Sequence, residues 1–430
     1  MADKSMYHGR LTCAEQAQLW ETVTPREAMR PIFSHGAEGL CVEGDGRAHM
    51  FGYWKKDVEA RGGGHYRLRV RFRISDIEDV NLHVMNLVHW KRDGRAGSGT
   101  PQDIVSDFRM EGDCMVGEGV FYAAPGVDGA EIQLGLRYLP RGSAHWLEAE
   151  WTQTTAPAPR PATISVVKWA PASSGTREAL AAKIGALVEQ AAALRSDLLL
   201  LPEFTSVYCE DIPLEVLAEN VPSGETCRQL SRSARENGVY VCAGVVERDG
   251  DVLYNTAVIF GRDGGFVGKY RKTHLYWPEG FFPYYGETPG DDFPVFDLDF
   301  GRVGVVICYD GWYGETVRLL ALKGAKVVLF PNAGYEQKCA PARAIDNNIY
   351  LAVSSIYGES QILNMAGETL ALTRDGIAAA TLDVNQWRLP HPNAGGSANC
   401  SSGGRRSVRN AMSNRLYEEI AREMKTWLKE

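Results

Sequence analysis

Residues 152–163, TQTTAPAPRPAT, constrain the chain most, because nothing in them builds a packed element. Three prolines there fix φ and remove backbone donors, and the other residues show no apolar period. The stretch reads as an extended linker between two bodies. The chain of 430 residues therefore divides into residues 1–151, the linker 152–163, a second body over 164–384 and an extension over 385–430. Both bodies are long enough to bury a core of their own.

The two sides of the linker differ in pattern. Before it, Tyr66, Leu68, Val70, Phe72 and Ile74 alternate with Arg67, Arg69, Arg71 and Arg73, which predicts a half-buried strand with an arginine face. Residues 80–90, 119–124, 130–139 and 145–152 also read as strands, and residues 12–20 as a helix. Many short strands broken by Gly-rich and Asp-rich turns predict an antiparallel sandwich of the jelly-roll kind. After the linker, strands alternate with helices. Strands are expected at 164–169, 198–201, 240–247, 254–260, 266–272, 302–308, 326–330, 350–355 and 361–363. Helices are expected at 177–194, capped by Ser174 or Thr176, and at 225–237, 315–323 and 342–348. This rhythm implies a layered α/β body.

Composition narrows the function classes. The formal charge of −8 is shared equally by residues 1–151 and the remainder, so a general basic surface for nucleic acid is not expected. No apolar run approaches the length of a membrane span. Nine cysteines without a C-x-x-C pair argue against a structural zinc site or a full disulfide set. These features read as a cytoplasmic protein with reduced thiols. His65, His83 and His89 give only a weak metal reading, so no metal or cofactor is expected.

Three polar residues stand where apolar runs end: Glu203 in LLLLPEF, Lys272 in FVGKYRK and Cys308 in VGVVIC. Layered α/β enzymes collect reactive groups at the carboxyl ends of strands. A carboxylate, an ammonium and a thiol supply a general base, an electrostatic stabiliser and a nucleophile. Taken singly, each has an ordinary reading as a core thiol, a loop acid or a solvated amine.

The segments LLLLPEF, GKYRKTHL and GVVICYDGWYGETVRLLALKGAKVVLFPNA resemble the Glu, Lys and Cys motifs of the nitrilase, or carbon–nitrogen hydrolase, superfamily. NTAVIFGRDGGFVGKYRK and ARAIDNNIYLAV match its flanking pieces, and the resemblance spans about residues 163–383. It implies a four-layer αββα sandwich with a Glu203, Lys272 and Cys308 triad. It implies hydrolysis of a small amide or N-carbamoyl substrate through a thioester on Cys308, with the N-terminus of the following helix and Lys272 favouring the thiolate. A second family glutamate is matched to Glu279 in preference to Glu287. Nitrilases of the family have Trp-Glu after the cysteine, whereas this chain has Tyr309-Asp310, which points to the amidase or carbamoyl side. Many carbamoylases place arginines shortly after the cysteine, where this chain has Gly311 and Trp312.

Tyr309, Trp277, Trp312 and Asn332 are the candidate substrate-binding residues. Tyr276, Phe281 and Phe282 are further aromatic candidates for the pocket wall, with core packing as the alternative. His274 offers a Cys–His alternative to the triad. The resemblance also implies a homo-oligomer, with residues 385–430 as a possible contact. In the front body Trp54, Trp90, Trp146 and Trp151 either fill the core or form a platform for carbohydrate. A nitrilase, or a glycan-binding protein with a vestigial hydrolase domain, are the alternative functions.

Overall fold

The computed structural model of the chain describes residues 9–13, 17–36, 39–78, 80–97, 100, 102–105, 108–277, 286–335, 337–385 and 422. It divides into two compact units between Ala158 and Pro159. The strand Ser143–Thr154 runs into the expected linker and the strand Pro161–Lys168 begins inside it. The connecting segment therefore shortens to residues 155–160. Apart from Asn385 and Arg422, the extension 385–430 lies outside the described residues.

The first unit is a sandwich of two antiparallel sheets. One has seven strands, ordered Ile32–Gly36, Gly39–Glu43, Ser143–Thr154, His65–Ser75, Cys114–Tyr122 and Phe108–Glu111, with Gly9–Thr12 also on Ser143–Thr154. The other has five, ordered Glu21–Val23, Phe51–Val58, Gly129–Arg137, Val84–Lys91 and Gln102–Ile104. The alternation at 65–75 holds: Tyr66, Leu68, Val70 and Phe72 are buried. The arginine face does not wait for an anion. Arg67 pairs with Glu150 at 2.8 Å and Arg73 with Asp113 at 2.7 Å. Arg69 and Arg71 lie within 4.0 Å of Glu148, so charges on neighbouring strands neutralise the stripe.

The four tryptophans Trp54, Trp90, Trp146 and Trp151 belong to the core and are no more than 5% exposed. They offer no carbohydrate platform. Each indole N–H finds an acceptor: Trp54 the Cys41 carbonyl at 3.0 Å, Trp90 the Asp103 carboxylate at 2.7 Å, Trp146 Asn86 Oδ1 at 2.6 Å and Trp151 the Glu59 carbonyl at 2.8 Å. That satisfaction is what lets so much ring surface be buried without a polar penalty. The three histidines do not converge. His65 packs on the Tyr122 ring, while His83 and His89 face the backbone carbonyls of Arg137 and Gly97. The helix expected at 12–20 is a strand at Gly9–Thr12 and one 3-10 turn at Ala17–Leu19. Residues 80–90 open with a helical turn, Val80–His83, before the strand Val84–Lys91.

The second unit holds twelve strands and four main helices among the described residues. We number them β1 (Pro161–Lys168), α1 (Arg177–Ala193), β2 (Leu198–Leu200), α2 (Glu225–Asn237), β3 (Tyr240–Asp249), β4 (Val252–Phe260), β5 (Phe266–Arg271), β6 (Val295–Leu298), β7 (Gly301–Val305), α3 (Gly314–Leu322), β8 (Val327–Asn332), α4 (Cys339–Asn347), β9 (Tyr350–Ser355), β10 (Ser360–Leu363), β11 (Thr369–Thr373) and β12 (Gly376–Asp383). Strands β5-β4-β3-β2-β1-β12 form one layer, and β6-β7-β8-β9-β10-β11 the other. The central strands of each layer are parallel and the outer ones antiparallel. The layers join at a single register, Lys168 to Ser355. Buried serines seal that corner: Ser354 Oγ accepts from Val167 N and donates to the Leu200 carbonyl, and Ser360 Oγ donates to the Val167 carbonyl.

Helices cover the outer faces. The apolar stripe Leu180, Ile184, Leu187, Val188 and Ala191 of α1 packs with Leu230 and Ala234 of α2 over Leu199, Val241 and Val258. On the other side Val317, Leu320, Ala340 and Ala344 cover Val328, Phe330, Leu351 and Val353. The result is the αββα order of layers. Thr176 caps α1 by accepting from Ala179 N at 3.2 Å, and α2 stops at Gly238, whose φ of +65° suits a left-handed end. Replacing Trp151 with Ala should remove a ring stacked on Tyr66 at 5.1 Å. A loss of about 3–5 kcal/mol in the first unit is expected, read from urea unfolding of the full chain.

Candidate active site

Glu203 lies in the turn after β2 and is fully buried. Its backbone is pressed against β3, where a Cβ on Gly244 would stand 2.7 Å from Glu203 Cα. Only glycine permits that approach. The carboxylate is gripped from three elements. Lys272 Nζ donates to Oε1 at 3.0 Å, Asn255 Nδ2 donates to Oε1 at 2.7 Å, and the Ala333 backbone N–H donates to Oε2 at 2.7 Å. Lys272 directly follows β5 and is 1% exposed. Its own N–H donates to the Asn255 carbonyl at 2.8 Å, which sets the height of the side chain. A charge pair buried this deeply survives because further hydrogen bonds, here from Asn255 and Ala333, meet the carboxylate.

Cys308 stands beyond the end of β7 rather than on it. The strand stops at Val305, and Cys308 opens a 3-10 turn, Cys308–Trp312, with φ at +45°. A non-glycine residue in that region is strained, a feature of nucleophiles presented on tight turns. The thiol donates to the Gly334 carbonyl at 3.3 Å, beside the Ala333 N–H that holds Glu203. Burial, reinforced by the negative charge of Glu203, pushes the thiol up to about 12, and Lys272 offsets only part of this. The resting group is therefore the thiol. The expected help from a helix N-terminus is missing, because α3 starts only at Gly314.

Asp310 ties the Lys272 loop to the Cys308 turn. This fully buried carboxylate accepts from Ile307 N at 2.9 Å on the Cys308 side. From the Lys272 side it accepts from Tyr270 OH at 2.7 Å, Thr273 Oγ1 at 3.2 Å and His274 N at 2.9 Å. His274 Nδ1 lies 3.1 Å from Asp310, and its ring stacks on Tyr313 at 4.1 Å. His274 is thus a partner of Asp310, and the structure gives it no contact with the thiol.

The structure brings Glu203, Lys272 and Cys308 together, with Tyr309 next in the same turn. Trp312 ends that turn half exposed, and Trp277 is 57% exposed. Asn332 closes β8 just before Ala333, fully buried, and neither amide atom has a hydrogen-bond partner among the described residues. Glu279, Phe281 and Phe282 lie outside the described residues. Glu287, the competitor for the second family glutamate, is buried at 5% exposure. Its segment runs beside the site: Thr288 N donates to the Leu253 carbonyl and Gly290 N to the Lys272 carbonyl, both at 2.8 Å. Sequence reasoning missed Asn255, Ala333 and Asp310. A polar Asn interrupting the apolar run of β4 was the available signal for the first.

Residues 163–388 match the carbon–nitrogen hydrolase family. The chain belongs to this family. It is similar to the nitrilase of Pyrococcus abyssi, with 43% identity over 191 residues, covering 43% of this chain and 71% of that protein. It is also similar to human omega-amidase NIT2, with 33% identity over 226 residues, 46% of this chain and 81% of that protein. Among solved structures it is similar to Saccharomyces cerevisiae Nit3, with 26% identity and a TM-score of 0.47, covering 54% of this chain and 95% of that one. The family match and the nitrilase and omega-amidase relatives support carbon–nitrogen hydrolysis.

A thiol held near 12 makes a direct prediction. Alkylation of Cys308 by iodoacetamide, followed on its peptide by mass spectrometry, should keep rising with pH from 7 to 10 by about tenfold per unit. Levelling off near the ordinary thiol value, about 8.5, contradicts this placement.

Proposed function

We propose that the chain hydrolyses small linear amides or N-carbamoyl compounds with Cys308 as nucleophile. The observation that carries this is the buried Glu203–Lys272 contact, with its carboxylate fixed by Ala333 one residue from the carbonyl that receives the Cys308 thiol. Because the resting thiol is protonated, its proton passes to Glu203 as sulfur attacks the carbonyl carbon. Negative charge then gathers on the carbonyl oxygen, where Lys272 and the Tyr309 N–H stabilise it. Glu203 returns the proton to the nitrogen. The carbon–nitrogen bond breaks, ammonia or an amine leaves, and a thioester remains on Cys308. Water, losing a proton to Glu203, attacks the thioester carbon and releases the acid and the thiol.

Asn332 is proposed to meet the substrate, since a buried amide without partners is costly unless a ligand completes it. Glu279, the match to the second family glutamate, is proposed to serve beside Lys272, with Glu287, buried alongside the Lys272 loop, as its competitor. A nitrile substrate is the second reading, favoured by the Pyrococcus abyssi relative named nitrilase. Tyr309-Asp310, where nitrilases have Trp-Glu, weighs for the amide.

Two measurements test this. Ammonia release should appear on a panel of amides and N-carbamoyl compounds, with a Cys308 acyl adduct visible by intact mass, and Cys308→Ala should abolish turnover. Ammonia from nitriles alone overturns the bond assignment. Separately, Glu279→Gln should lower kcat by at least about 100-fold, as loss of a positioned acid–base group does. A larger loss in Glu287→Gln assigns the role to Glu287 instead.

A further inference from the structure

We infer that the substrate carries an uncharged aryl or arylalkyl group beside its scissile bond, bound against the rings of Tyr276, Trp277, Tyr309, Trp312 and Tyr313. This rests on the hydrolase reading above and adds the substrate class to it. Tyr309 directly follows the nucleophile, and Trp312 closes the same turn. The Tyr309 ring meets Tyr276 edge-on at 5.6 Å and Tyr313 at 5.5 Å, with Trp312 at 6.2 Å. Rings from two loops thus form one surface starting at Cys308.

Ring surface of this size normally turns inward. Here Tyr276 is 49% exposed, Trp277 57% and Trp312 50%. The same chain buries Trp54, Trp90, Trp146 and Trp151 in its first unit and gives each of those indoles an acceptor. Exposed rings next to a nucleophile, with Tyr276 and Tyr313 edge-on to Tyr309, are a surface that a planar apolar group covers well.

Charge points the same way. Residues 273–286 and 309–317 contain no Lys or Arg. Lys272 is engaged with Glu203. Arg343 of α4 is turned onto backbone, with Nε donating to the Gly311 carbonyl at 3.1 Å and a terminal nitrogen to the Trp312 carbonyl at 2.8 Å. A substrate carboxylate would meet the carboxylates of Glu203 and Asp310 without a guanidinium fork to receive it. Packing builds this in. A Cβ at Gly311 would stand 2.2 Å from the Phe330 ring, so an arginine in that position requires Phe330 to move.

The test compares kcat/KM for ammonia release by the full chain on phenylacetamide, acetamide and succinamate, the last an amide carrying a carboxylate. Phenylacetamide should exceed succinamate by at least about tenfold, the scale on which an apolar pocket discriminates. Trp312→Ala and, on the other loop, Trp277→Ala should each lower the phenylacetamide-to-acetamide ratio by about tenfold, through KM. Both rings are exposed, so the variants should fold. Preference for succinamate, or an unchanged ratio in both variants, overturns the inference and leaves the hydrolase reading standing. No ammonia from any of these amides or from N-carbamoyl compounds overturns both.

Discussion

The contact between Glu203 and Lys272 is the constraint around which the second unit is organised. One ion pair with both partners buried is costly unless every remaining donor and acceptor is met. The chain meets the demand of the carboxylate from both layers at once. Lys272 and Asn255 come from the β4–β5 side, and the Ala333 N–H comes from the loop after β8 in the other layer. The carboxylate therefore acts as a pin through the two sheets near their carboxyl ends, complementing the serine-sealed corner where β1 meets β9. Removing either charge would leave the other buried alone, a loss of about 3–5 kcal/mol.

A second buried acid, Asp310, carries the order outward. It gathers the 270–274 loop and the start of the Cys308 turn around one carboxylate. Cys308 itself is held at a positive φ, which costs roughly 1–3 kcal/mol and persists only when neighbours fix it on both sides. Asp310 supplies one side through Ile307, and Arg343 supplies the other by holding the carbonyls of Gly311 and Trp312. Strain at the nucleophile and burial of acids around it are parts of the same arrangement. Desolvation, reinforced by the charge of Glu203, keeps the sulfur protonated until its proton can move.

Much of the fold was legible because its elements are strongly periodic. The alternation at 65–75, the stripe of α1 and the unbroken apolar strands β2, β8 and β9 each announce their type. The strand Phe51–Val58 was missed because Lys56 occupies an inward position, 6% exposed, and breaks the alternation. The strands β6, β11 and β12 were missed for a different reason. They are short or Ala-rich, and they owe their state to pairing with β7, β10 and β1. The linker was read too long because Thr and Pro at its ends pair as strand once partners are present.

The sequence by itself determined the two-unit division, the alternating order of strands and helices, and the three reactive residue types, because local periodicity and short motifs encode them. Only the tertiary structure decided what surrounds those residues. Which groups grip Glu203, that His274 serves Asp310, that Glu287 is buried, and that the thiol is held high rather than low all depend on contacts between residues far apart in the chain. Burial and charge act through space, and the separation of 130 residues between Glu203 and the Ala333 N–H that holds it has no local signature.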